Sequence, residues 1–105
     1  MSAEQDFHKA MVDIYNLALK HCHYRATRFL QMVANEGGLK TAKKLLKENK
    51  ISDGFMNLLQ NNRLDLTVEA LVIKVEFKHL FTDTEIEEAT QRLKNYGYEP
   101  DKIIG

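Results

Sequence analysis

A chain of 105 residues with 44% apolar content is long enough for one domain with its own core, and too short for two. Fifteen Lys and Arg balance fifteen Asp and Glu, which removes the bulk positive charge of a dedicated nucleic-acid binder. Cys22 is the single cysteine, so an intrachain disulfide framework and a Cys-based zinc knuckle are excluded.

No apolar run approaches the length of a bilayer span, and Glu4 and Asp6 stand where a signal peptide is basic. The expectation is a cytoplasmic protein with no membrane contact, formed as a single helical domain over 1–105.

Phe7, Ala10, Met11, Ile14, Leu17 and Ala18 follow one helical stripe and predict a first helix over 4–20. Residues 21–25 read as a short turn, with a continuous helix as the alternative. Phe29, Leu30, Met32 and Val33 predict a second helix, ended by Gly37 and Gly38 acting together as a glycine cap. The third, over 39–48, is the clearest amphipath: Leu39, Ala42, Leu45 and Leu46 share one arc, and Lys40, Lys43, Lys44 and Lys47 the opposite one.

Ser52 reads as the N-cap of a helix over 53–60, with Ile51 and Met56 placed as its hydrophobic staple and Asn61-Asn62 as the turn that stops it. Thr67 reads as the next N-cap. The run Leu71-Val72-Ile73 also fits a strand, but no second strand is on offer to pair with it, so helix is preferred. Thr82-Asp83-Thr84-Glu85 is a capping box, stapled by Phe81 and Ile86. At the other end Gly97, Tyr98 and Pro100 form a stop signal. These elements predict an all-α fold, a compact orthogonal bundle of five or six short helices.

Charge is balanced overall but unevenly placed: nine basic against five acidic residues over 1–50, and six against ten over 51–105. Lys40, Lys43, Lys44, Lys47 and Lys50, with Arg25 and Arg28, form a candidate face for a partner or for nucleic-acid phosphates. Two helices joined by the Gly37-Gly38 turn, with a third shortly after, have the loose outline of a helix-turn-helix, although its recognition helix, 53–60, holds Asn57 and Gln60 and no arginine. His21 and His23 flank Cys22, but on a helix the two imidazoles lie about 200° apart and cannot share an ion. The carboxylates each have a structural reading: Glu85 in its capping box, Glu87 and Glu88 on an outer face, Asp65 and Glu69 at a helix start, or Arg63 paired with Asp65 or Glu69 to lock a corner. No catalytic, cofactor-binding or metal-ligating residue is assigned.

Tyr24-x-Ala26-Thr27-Arg28-Phe29-Leu30-Gln31-Met32-Val33 and Gly37-Gly38-x-x-Thr41-Ala42-Lys43-x-Leu45-Leu46 form a connected pattern. It continues through Ser52-Asp53-Gly54-Phe55, Arg63-Leu64-Asp65-Leu66-Thr67-Val68-Glu69, Phe77, Leu80-Phe81-Thr82 and Arg92-Leu93-x-x-Tyr96-Gly97-Tyr98. This pattern, covering roughly residues 15–98, resembles a small bacterial domain family associated with mobile elements and of unassigned function. The resemblance implies an accessory role and a glycine where this chain has His23; it brings no activity or cofactor. The expected function is that of a non-catalytic binding or adaptor domain engaging a protein, a second copy of the chain included, in bacterial or phage defence or counter-defence. The alternative is a nucleic-acid-binding regulator working through the Lys40–Lys50 face.

Overall fold

The computed structural model describes residues 2–99, so the stop signal expected at Pro100 lies outside the described residues. Helix α1 (Ala3–Cys22) starts at a capping box: Ser2 Oγ accepts the Gln5 N–H at 3.1 Å and Gln5 Oε1 accepts the Ser2 N–H at 3.3 Å. It runs two residues past its expected end and stops at His23, which is left-handed at φ 54°. That is the conformation glycine adopts most easily. Residues 23–26 form the turn.

Helix α2 (Thr27–Glu36) and helix α3 (Gly38–Lys47) are separated by Gly37 alone, at φ +90°. Reading the two glycines as one cap was therefore half right. Gly38 is the first residue of α3, and its missing side chain lets α1 pass close by: a Cβ there would sit 2.7 Å from the His8 Cα.

Ser52 caps helix α4 (Asp53–Gln60) by accepting the Phe55 N–H, and Asn62 turns the chain at φ 58°. A 3-10 turn over 64–66 leads to Thr67, whose hydroxyl donates to the Leu64 carbonyl at 2.7 Å and accepts the Ala70 N–H at 3.1 Å. Helix α5 (Val68–Val72) is only five residues long, and every one of them is buried. An element apolar on nearly all sides belongs in the middle of a core, which is why its sequence lacks a clean helical stripe.

After a second 3-10 turn over 78–80 comes helix α6 (Asp83–Asn95), opened by the predicted Thr82–Glu85 box. It closes in the expected glycine motif, with Tyr98 N–H on the Leu93 carbonyl at 2.9 Å and Gly97 N–H on the Lys94 carbonyl at 3.0 Å. Among the described residues there are six α-helices and no strand.

The main core joins Phe7 and Met11 of α1, Val33 of α2, Ala42 and Leu46 of α3, and Val68, Leu71 and Val72 of α5 to Phe77, Phe81 and Ala89. Phe7 meets Phe77 and Phe81 edge-on, with centroids 5.2 and 5.3 Å apart. Two smaller clusters extend it, one around Phe55, Leu64, Ala70 and Leu93 and one around Ala18, Leu58 and Leu66. The resulting bundle is compact and nearly equal in its three dimensions, 33 × 31 × 29 Å.

Thr41 is fully buried on α3, yet its hydroxyl has no hydrogen-bond partner among the described residues. Thr41→Val keeps the shape and removes the unsatisfied group, so thermal or urea unfolding should show unchanged or raised stability, by up to about 1 kcal/mol. The end signals of α6 give a contrasting pair. Thr82→Ala should cost about 1 kcal/mol through the lost cap. Gly97→Val should cost more, roughly 1–3 kcal/mol, because a Cβ finds open space there but φ is +87°. Chemical denaturation of the two variants beside wild type measures the order.

Candidate functional site

The lysine face divides when its partners are examined. Lys43 is half-buried: its Nζ lies 2.8 Å from Glu85 Oε1 on α6 and 5.1 Å from the centre of the Phe81 ring. Glu85 is therefore shared between its capping box and Lys43. Burial opposes its ionisation, but the hydrogen bonds from Lys43 and from the Thr82 backbone together hold the carboxyl below its ordinary range. Lys44 reaches Glu36 at 3.3 Å. Lys40, Lys47 and Lys50 are exposed and make no ion pair among the described residues. Arg25, in the loop before α2, and Arg28, in the first turn of α2, are also exposed, with side chains unpaired among the described residues.

The lysine arc thus has two members in ion pairs, Lys43 with α6 and Lys44 with the end of α2. The two charged halves of the sequence are also joined in space, since α3 packs on α6.

The helix-turn-helix outline fares less well. Helix α4 packs chiefly on the 64–66 turn, burying Phe55 and Leu58, and presents Asp53, Met56 and Gln60 to solvent. That exposed face carries no cation. The Asn57 side chain is engaged by Asn61, whose amide donates to Asn57 Oδ1 at 3.2 Å.

A second surface gathers where the chain turns after α4 and where α6 ends. Leu59, Asn62, Leu64, Asp65, Tyr96, Gly97 and Tyr98 line a shallow hollow of about 160 Å³. Tyr96 is 41% exposed and stacks edge-on against Phe55, with centroids 5.5 Å apart. Arg63 grips Asp65 with two parallel bonds, Nε to Oδ1 at 3.0 Å and Nη2 to Oδ2 at 3.1 Å. Those bonds hold the Asp65 carboxyl below its usual range, helped slightly by His21. Burial, and then the Asp65 carboxylate, push the Tyr98 phenol up. Of the two pairings considered for this corner, Arg63–Asp65 is the one that forms.

Glu69 does not converge with them outside. It is 4% exposed and faces Arg92, itself 6% exposed. Arg92 uses all five of its N–H groups: Nε to Glu88 at 2.7 Å, Nη1 to Glu69 at 3.1 Å and the Leu45 carbonyl at 3.2 Å, Nη2 to the Leu46 and Glu48 carbonyls at 3.3 and 2.7 Å. Burial pushes the Glu69 carboxyl up, offset in part by a backbone hydrogen bond and by Arg92. Reading Glu69 as a dipole-satisfying acid on the surface was wrong because α5 is enclosed on all sides. Glu88 likewise does more than decorate an outer face. The overlooked signal was Ala89, Arg92 and Leu93 at i, i+3 and i+4, which places the arginine on the buried arc, with Glu88 one turn before it.

Comparison with protein families, with curated proteins and with solved structures finds no match to this chain. His21, Cys22 and His23 gather no metal-binding set, and no group of three or more His, Cys, Asp and Glu side chains placed to hold an ion occurs among the described residues. No described helix is long and apolar enough to cross a membrane.

Arg92→Met would leave Glu69 buried without its cation and take a donor from each of three carbonyls at the α3 end. Unfolding experiments should register a loss of about 3–5 kcal/mol. Arg63→Ala, which breaks an exposed pair, should cost no more than about 1 kcal/mol by the same measurement.

Proposed function

We propose that the protein is a non-catalytic binding module that engages a protein partner through the hollow between residues 59–65 and 96–98. The observation that carries this reading is the pairing of a half-exposed Tyr96 with Tyr98, Leu59 and Leu64 around one concavity, beside a fixed Arg63–Asp65 rim. Tyrosine supplies a large contact area at low entropic cost and is enriched where proteins meet. The Arg–carboxylate rim is already ordered, which lowers the cost of docking. The setting proposed for it, a bacterial or phage accessory system of defence or counter-defence, is supported by the family resemblance.

Nucleic-acid binding is the second reading. It is favoured by Lys40, Lys47 and Lys50, which leave three exposed ammonium groups with no carboxylate in reach among the described residues, with Arg25 and Arg28 as further cations. The zero net charge and the cation-free outer face of α4 weigh against it.

Reversing Lys40 and Lys47 to Glu separates the two readings. Both residues are exposed, whereas reversing Lys43 would set a new carboxylate against Glu85. For a protein-binding module, immobilised wild-type chain retains a partner that Tyr96→Glu fails to hold and that the double lysine reversal still holds. Wild type then shows no retardation of duplex or single-stranded nucleic acid at about 50 mM salt and above. Salt-sensitive retardation lost in the lysine variant, with Tyr96→Glu behaving as wild type, would replace the first reading with the second.

A further inference from the structure

Helix α3 begins without a side-chain cap of its own, because Gly37 has none to offer. The missing acceptor comes from another helix. The imidazole of His8, thirty positions earlier on α1, accepts the Gly38 N–H on Nδ1 at 2.9 Å. The bond sits at a close approach of the two helices, where a Cβ on Gly38 would meet the His8 backbone at 2.7 Å. We infer that His8 is a proton-sensitive clasp holding α1 to the start of α3, closed when Nδ1 is bare and released when it is protonated.

The clasp follows from the donors and acceptors of the ring. To accept from a backbone N–H, Nδ1 must carry no proton, so the ring is neutral with its hydrogen on Nε2. A proton on Nδ1 makes both ring nitrogens donors and sets an N–H against the Gly38 N–H. It also places a cation at the positive end of the α3 dipole. Both effects act in the same direction.

The surroundings offer little to oppose them. Ser2, Glu4, Gln5 and His8 of the α1 start and Gly37, Gly38 and Leu39 line one open depression. Glu4 is the charged group on its walls besides His8, and it favours the imidazolium. It is exposed, and an exposed pair is worth less than a direct hydrogen bond lost together with its geometry. The α3 side contributes no charged side chain to these walls. Lys40, next along α3, is exposed, and Glu36, at the end of α2, is engaged by Lys44. Histidine is the side chain that ordinarily changes charge in the range cells and their compartments visit, and that is the range over which the clasp is tested.

The test is amide hydrogen exchange of Gly38, followed by NMR on the full chain at pH 7.5 and pH 5 and corrected for the intrinsic rate at each pH. The clasp predicts that Gly38 protection falls roughly threefold to tenfold on acidification, the range expected for one hydrogen bond. Amides in the middle of α6, far along the chain from His8, should keep theirs. In His8→Ala, Gly38 protection should be low at both pH values and the difference should vanish; Glu4→Gln should retain it. Equal Gly38 protection at the two pH values in wild type would overturn the inference. So would a fall of the same size in His8→Ala, or one shared by the α6 amides. Should His8→Ala fail to fold, the wild-type comparison of Gly38 with α6 decides alone.

Discussion

The arginine at the end of α3 organises more of this molecule than any other single side chain. A helix ends with four carbonyls that its own backbone cannot satisfy, and one side of the α3 end is turned toward α6. Arg92 reaches across from α6 and covers carbonyls at that end, where its positive charge also opposes the helix dipole. Its remaining donors bind Glu69 from the buried α5 and Glu88 from its own helix. Three helices that share no local sequence are fixed to one planar group. A buried ion pair is a weak source of net stability, because desolvating two charges offsets most of their attraction. What the geometry of five donors supplies is selection: few packings of α3, α5 and α6 satisfy all of them together.

Local signals in the sequence were readable wherever the chemistry is local. The Thr82–Glu85 box, the Ser52 and Thr67 caps and the Gly97 stop depend on residues within a few positions of one another, and each forms as its spacing implies. The arc of Leu39, Ala42, Leu45 and Leu46 does face inward, with Ala42 and Leu46 buried outright. The first errors came where an element's role is assigned from outside. Gly38 looks like half of a cap until α1 is laid beside it, and Glu69 looks like a surface acid until α5 is seen to have no surface.

The candidate sites follow the same division. That Lys40 and Lys47 would be exposed follows from helical phase. That Lys43, on the same lysine arc, would be drawn to Glu85 and Phe81 does not, because both partners lie about forty positions away in the chain. The hollow at Tyr96 and Tyr98 was invisible for a related reason. Leu59 belongs to the end of α4, Leu64 to the 64–66 turn and Tyr96 to the cap of α6, and no periodicity connects them. Arg63–Asp65, two residues apart, was within reach of a sequence reading and was found.

The burial of α5 has a bearing on how the chain acquires its structure. A helix of five residues makes too few internal hydrogen bonds to persist in water, since nucleation alone outweighs what so short a segment gains. Val68, Leu71 and Val72 can therefore be helical only once α1, α3 and α6 have arrived around them, yet the main core of those helices is incomplete without α5. Each side waits for the other. Such mutual dependence leaves little room for a half-folded chain: a fragment ending before residue 53 would keep its amphipathic stripes and lose the element they close upon. The centre of this small bundle is thus the part least able to exist by itself, and assembly proceeds as one event involving both ends of the sequence.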